Sequence, residues 1–456
     1  MNNTHSPTEE IMSKAKKIQD YDFWYDVLRY YVDFGLKLSY RHIKYVNKER
    51  IPQDGAIIYA PNHTNALMDA LVILAMDHKA KVFVARADIF KKPILAKIFR
   101  WLKIMPIMRM RDGADEVRKN NETIEKAVDV LRDKVPFCIF PEGQHQTKFS
   151  SQPLAKGIFR IAFQAQELMP DMPLYIVPVG LRYGNFFRFR STVRVQIGEP
   201  INVQEFIAAH RDMSTAEQMN IIRGVLDDRL KDAIFYIPND EHYEATHEVC
   251  AAVVKRRVRH LRRSDKKWRK ARAMDLYFEA NNATVAQISR LREEKPEVAE
   301  RLLTLGSEAA RMRLAGKISL SSVAVRNFTF SQIVKYLILL VSLPYSIPAT
   351  ILTLPLSGLL AKLCGMFKDN AFHNSVRYLV SILVWPVLMI VYSVIAYLCL
   401  PWQWALPLTL AALPAPIVAQ EVYRLLRLII SDMRLLRNKP LREKYSKIRE
   451  IIFSNK

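Results

Sequence analysis

From residue 21 to residue 38 apolar and aromatic side chains recur every three to four positions (FWYDVLRYYVDFGLKL), the spacing of an amphipathic helix that packs on a core or lies in a bilayer interface. The period then changes. IKYVNKERIPQDGAIIYAPNH reads as two short strand-like runs parted by a Pro and Gly turn, and ALMDALVILAMDHKA returns to helical spacing. The alternation continues through the strand KVFVARA, the helix KPILAKIFRWL, the strand IMPIMRM, the helix ADEVRKNNETIEKAVDVLRDK, the strand PFCIF, the helix KGIFRIAFQAQEL and the strand LYIVPVGLRY. Strands alternating with helices predict an α/β layered domain ending near Pro200.

Beyond it the pattern turns helical with charged faces, then strongly apolar. Residues 336–361 form an uncharged run of 26 and residues 378–420 another of 43, where a bilayer crossing takes about 20. The longer run divides at Leu400-Pro401-Trp402-Gln403-Trp404, which predicts spans over 378–399 and 402–420 with tryptophan at the interface. The shorter run carries Pro344, Pro348 and Pro355, so a kinked span and a re-entrant segment both fit. Lys335, Lys362, Lys368, Arg377, Arg424, Arg427, Arg434 and Arg437 flank the runs; if all are cytoplasmic, the first run enters and leaves on one side. The chain thus divides into a tail (1–20), an α/β domain (21–205), a basic helical region (206–330), a membrane domain (331–420) and a basic cytoplasmic tail (421–456).

Composition narrows the setting. Half of the residues are hydrophobic, yet Lys and Arg (68) outnumber Asp and Glu (45) to give a net charge of +23, which suits an anionic surface, either a membrane leaflet or nucleic acid. The basic run over 255–272 contains only Trp268 and lacks the interleaved aromatics of a base-stacking surface, so nucleic acid is not the expected partner. The first twenty residues resemble neither a secretory signal nor a transit peptide. Cys138, Cys250, Cys364 and Cys399 show no C-x-x-C spacing and read as reduced packing residues. No P-loop, dinucleotide fingerprint, Cys/His metal spacing or G-x-S-x-G is present.

Four segments carry candidate chemistry. Asn62-His63-Thr64-Asn65-Ala66-Leu67-Met68-Asp69 lies where a strand hands over to a helix. If Asn65 caps that helix, Asp69 can reach back to His63, fix its tautomer and leave it a general base; a lone loop histidine is more often a surface or packing residue. Pro106 to Asp112 places Arg109 and Arg111 at alternate positions, to hold a phosphate or simply to face water. Phe140-Pro141-Glu142-Gly143 follows an apolar run and precedes Lys156-Gly157, a grouping suited to a polyol phosphate. Ile176 to Tyr183 reads as a buried strand that adds order but no chemistry.

Together and in this order the four segments resemble the glycerolipid acyltransferase superfamily, which includes glycerol-3-phosphate and lysophosphatidate acyltransferases. The resemblance covers roughly residues 21–205. Five residues part His63 from Asp69 where four are usual, a spacing similar to the branch that contains fungal-type glycerol-3-phosphate acyltransferases. The resemblance implies a mixed sheet flanked by helices, a His63–Asp69 catalytic dyad, acceptor binding by Arg109 and by the Glu142-Gly143 pair, and a phosphate contact from Lys156; Arg111 is the competing alignment for Arg109. Many members place Thr-Arg or Gly-Ser after the Glu-Gly pair, where this chain has Gln144-His145. The implied reaction moves a fatty acyl group from acyl-CoA or acyl-carrier protein, as co-substrate, to a glycerol phosphate or lysolipid hydroxyl, with no metal or other cofactor and with membrane lipids as partners. The rival from another class is a non-enzymatic basic membrane scaffold or nucleic-acid-binding membrane protein.

Overall fold

The computed structural model describes residues 17–107, 120–324 and 328–455. Helix α1 (Phe23–Ser39) starts where the Asp22 side chain accepts the Tyr25 N–H. There follow β1 (Tyr40–Val46), β2 (Ala56–Pro61), α2 (Leu67–Leu74), β3 (Val82–Arg86), α3 (Pro93–Trp101), β4 (Ile104–Ile107), α4 (Asn120–Arg132) and β5 (Phe137–Cys138). The domain continues with α5 (Gly157–Leu168), β6 (Leu174–Tyr183), β7 (Ser191–Ile197), β8 (Ile201–Asn202), α6 (Val203–Ala209) and α7 (Thr215–Ala233).

These strands form one mixed sheet in the order β1-β7-β6-β2-β5-β3-β4, with β8 on β6. β2 lies between β6 and β5, parallel to both, and is buried along its whole length. Its sequence AIIYAP shows no alternation, as a strand covered on both faces requires. One face packs on Ala127 and Leu131 of α4, Phe159 and Ile161 of α5, and Ile222, Leu226 and Leu230 of α7. The other meets Leu36 of α1 and Met68, Val72 and Ile73 of α2. The domain therefore runs past the expected limit at residue 205, because α7 supplies an apolar stripe to the sheet. It also holds β7, antiparallel to β6, and β8, neither of which was expected.

The basic region comprises α8 (Tyr243–Ser264), α9 (Lys266–Arg269), α10 (Ala273–Glu294), α11 (Pro296–Ala315) and α12 (Leu320–Val323). It is docked on the sheet edge: Asp275 of α10 pairs with Lys44 of β1 and Arg194 of β7, and the Arg194 guanidinium lies 3.9 Å from the Phe278 ring centre.

The apolar part holds α13 (Phe328–Leu352), α14 (Leu354–Gly365), α15 (Asn370–Cys399), α16 (Trp402–Ala412) and α17 (Ala415–Arg437). Residues 330–352 and the 30 residues of α15 are each long and apolar enough to cross a membrane. At about 1.5 Å per residue they reach roughly 35 and 45 Å, against about 30 Å of hydrocarbon. The first apolar run breaks at Thr353 and returns. Its start is tied to the C-terminal part of α17 through Gln332 and Lys335, both bonded to Asp432, while the far end of α13 meets Tyr392 through the Leu352 carbonyl. α14 then comes back along α15, with Cys364 Sγ against the His373 carbonyl. Over the expected span 402–420 the chain forms two helices bent by 48° between Ala412 and Ala415, where Pro414 interrupts the run; together the pair is long and apolar enough for one broken span or a re-entrant loop.

The expected tail after residue 420 is ordered helix. α17 runs on to Arg437, and α18 (Lys439–Ser454) buries Leu441, Tyr445, Ile448 and Ile452 against Val249, Val253 and Leu302. Those four recur at three- and four-residue spacing, which gives an otherwise charged helix one apolar stripe. Tyr445 donates to Glu248 Oε1 at 2.5 Å, and Arg313 Nε donates to Glu248 Oε2 at 2.8 Å.

Candidate active site

His63 sits in the turn between β2 and α2, and the turn is shaped by Asp69. Asp69 Oδ2 accepts His63 Nδ1–H at 2.9 Å and the Thr64 and Asn65 backbone N–H groups at 2.7 Å each, while Oδ1 accepts the Tyr183 O–H at 2.7 Å. Asp69 is fully buried, and these four donors replace the water it has lost. The carboxylate fixes the His63 proton on Nδ1, so Nε2 is the basic nitrogen. Burial foremost holds the Tyr183 phenol well above its ordinary pKa, so it remains a donor.

Two expectations change here. Asn65 does not cap α2: Ala66 is the N-cap, in a strained backbone with φ +46°, and Asn65 Nδ2 donates to the Phe186 carbonyl at 2.6 Å. The capping is reversed, because Asp69 reaches back to the two amides before the helix. The strand Ile176–Tyr183, read as order without chemistry, supplies Tyr183 to Asp69 and clamps Asn62, whose side chain exchanges bonds with the Leu181 N–H and carbonyl at 2.6 and 3.2 Å.

The loop after β5 closes over the same turn. Glu142 is buried, and its Oε2 accepts the His63 backbone N–H at 2.9 Å. Its Oε1 faces the Gln152 N–H at 3.4 Å. Burial pushes the Glu142 carboxyl up to about 8, against the pull of those two donors, so it holds the loop by hydrogen bonding rather than by charge near neutral pH. Gly143 has φ +65°, a left-handed turn that only glycine adopts without strain. Phe140 stacks on the His63 ring at 4.2 Å, and the Gln146 N–H donates to the His63 carbonyl at 3.1 Å.

His63, Glu142, Gly143 and Lys156 all line one cavity of about 2670 Å³. Its polar end is this turn, with exposed Lys156 at the N-cap of α5 and Arg160 one turn on. Its apolar wall is built by Leu28 and Val32 of α1, Ile98 and Trp101 of α3, and Leu379 and Ile382 of α15. The structure thus brings together His63, Asp69, Glu142, Gly143 and Lys156; Arg109 and Arg111 lie outside the described residues. Tyr183, His145 and Asp369 also belong to the site and were not foreseen as functional. Among the described residues no group of three or more His, Cys, Asp or Glu side chains is placed to hold a metal ion.

A histidine base with an oriented tautomer, at the polar end of an apolar cavity, is the equipment for deprotonating a hydroxyl beside a long-chain donor. Comparison with known proteins finds similarity to acyltransferases. The acyltransferase family matches residues 42–182. Glycerol-3-phosphate O-acyltransferase 2 of Saccharomyces cerevisiae is 33% identical over 114 residues, 24% of this chain and 15% of that protein. Glycerol-3-phosphate O-acyltransferase 1 of the same yeast is 33% identical over 90 residues, 20% of this chain and 12% of that protein. The matches therefore span a small part of either relative's length. The crystal structure of the 1-acyl-sn-glycerophosphate acyltransferase of Thermotoga maritima aligns with a TM-score of 0.32 and 21% identity, over 46% of this chain and 78% of that one. Residues 42–182, the part of the chain that carries His63, Asp69 and Glu142, are thus what matches the acyltransferase family.

Proposed function

We propose that the protein is a membrane-bound O-acyltransferase that moves a fatty acyl group from acyl-CoA or acyl-carrier protein to glycerol 3-phosphate or a lysophospholipid. His63 acts as the general base: Nε2 takes the proton of the acceptor hydroxyl as its oxygen attacks the thioester carbonyl, and as the tetrahedral adduct collapses the C–S bond breaks and the departing thiolate takes that proton from the imidazolium. Asp69 stabilises the imidazolium that forms. The observation that carries this reading is the His63 Nδ1 to Asp69 contact of 2.9 Å at the polar end of an apolar cavity.

The acceptor's phosphate is assigned to Lys156 and to Arg109, with Arg111 as the alternative. Lys156 at the start of α5 adds its charge to the partial positive end of that helix. Glu142 and Gly143 shape the acceptor end, and the remaining lone pairs of Glu142 are available to an acceptor hydroxyl. Lys156→Ala and Arg109→Ala are expected to raise the acceptor KM and lower acceptor kcat/KM about tenfold or more, with the donor KM little changed. Purified protein offered a panel of glycerol phosphate and lysolipid acceptors measures this, and unchanged acceptor kinetics in both variants would remove the assignment.

The soluble body, the segment 362–377 and the chain after residue 421 are proposed to face the cytoplasm, supported by the basic residues that flank each apolar run. On a background without native cysteines, an impermeant thiol reagent applied from outside is expected to label a cysteine at position 403 and not at 370. The reverse pattern would exclude this orientation.

A further inference from the structure

The loop after β5 carries a second histidine into the cavity. His145 lies edge-on to His63, with ring centroids 5.6 Å apart and planes at 81°. Its Nε2–H donates to Asp369 Oδ2 at 2.7 Å. Asp369 comes from the membrane domain, as the N-cap of α15, where its Oδ1 accepts the Ala371 N–H at 2.9 Å. Phe372 in the first turn of α15 stands perpendicular to the His145 ring at 5.3 Å. Asn374 adds a second link, its Nδ2 lying 3.4 Å from Asn65 Oδ1 and from the Tyr40 hydroxyl. α15 therefore touches the His63 turn from two sides, through His145 and through Asn65.

Fold stability does not account for the pair, because the Asp369 side chain is 50% exposed and exposed ion pairs add little to stability. Its position does: His63 is held on one face by Phe140 and at Nδ1 by Asp69, and His145 borders the ring from a third direction. The geometry points to His145 as a positioning residue for His63, held in place by Asp369, so that the site is complete only when the α14–α15 hairpin is seated on the loop after β5. This rests on His63 being the general base. Turnover is then conditional on correct seating of a membrane segment far along the chain from the catalytic turn.

The test uses full-length protein in vesicles of phosphatidylethanolamine and phosphatidylglycerol. Asp369→Ser keeps an oxygen able to cap α15 but is too short to reach His145, and His145→Phe keeps an aromatic ring without the N–H. Each is expected to lower kcat about tenfold, with both KM values within about twofold and the melting temperature unchanged, since small misplacement of a catalytic group is costly. The double variant should fall no further than the singles, as for groups acting in series. Wild-type kcat in either single variant, or falls that multiply, would overturn the proposal. Failure of the general-base reading is seen separately, as His63→Ala turning over like wild type or as no acyl transfer at all. In that case the latch is read without activity, from the rate at which diethylpyrocarbonate modifies His63: faster in Asp369→Ser supports it, and an unchanged rate refutes it.

Discussion

His63→Ala is expected to reduce acyl transfer by about 10²–10⁴-fold, the usual contribution of a positioned general base. The substitution removes a ring that is bonded to Asp69 at Nδ1 and stacked on Phe140. Asp69 keeps the Thr64, Asn65 and Tyr183 donors, so the turn should persist. The variant should therefore stay folded and membrane-bound, with donor and acceptor affinities close to those of the wild type. Transfer of labelled acyl groups measured beside thermal unfolding separates the two effects. Near-normal turnover in a folded variant would end the general-base mechanism.

Asp69→Asn is expected to be comparably severe, with a fall on the order of 10³–10⁴, for a different reason. The asparagine oxygen can replace Oδ2 toward the two backbone amides, and its NH₂ group can face Tyr183, whose hydroxyl turns to accept. The shape of the site is preserved, but the charge that stabilises the imidazolium is gone. Asp69→Ala should lose stability as well, because the Thr64 and Asn65 N–H groups would be buried without their acceptor at about 1–3 kcal/mol each. The contrast between the two variants is the diagnostic: low activity with near-wild-type melting for Asn, low activity with depressed melting for Ala. An Asn variant retaining more than about a tenth of the activity would show that the carboxylate charge is not needed.

The fold was legible where periodicity was local. The α/β alternation and the apolar helices follow from spacing, as does the handover from β2 to α2 that carries His63, while the mixed sheet with its flanking helices was implied by the family resemblance. β7 was missed although Ser-Thr-Val-Arg-Val-Gln-Ile alternates cleanly, with Val193, Val195 and Ile197 in the core. Arg194 at its centre interrupts the apolar positions and is buried on Phe278 and Asp275. α18 was read as a tail because Lys, Arg and Glu dominate its composition and hide a stripe of four buried side chains. In the site, His63 and Asp69 lie close in sequence, so their pairing could be reasoned out; Tyr183 could not, since nothing in a buried strand tells which way a terminal hydroxyl points. Asp369 is more than two hundred residues from His145, and no local pattern links a helix cap in the membrane domain to a loop after β5.

The packing of α18 also bears on the order in which the chain can be made. Its partners α8 and α11 are synthesised before the apolar helices, and α18 after them, so the two halves of one helical bundle bracket the apolar part in sequence. Until α13 to α17 have been made, Val249, Val253 and Leu302 lack the α18 side chains that cover them. A chain stalled within α13 to α17 would leave that apolar surface uncovered. Closure of this bundle by α18 thus comes only after every one of the helices α13 to α17 has been made.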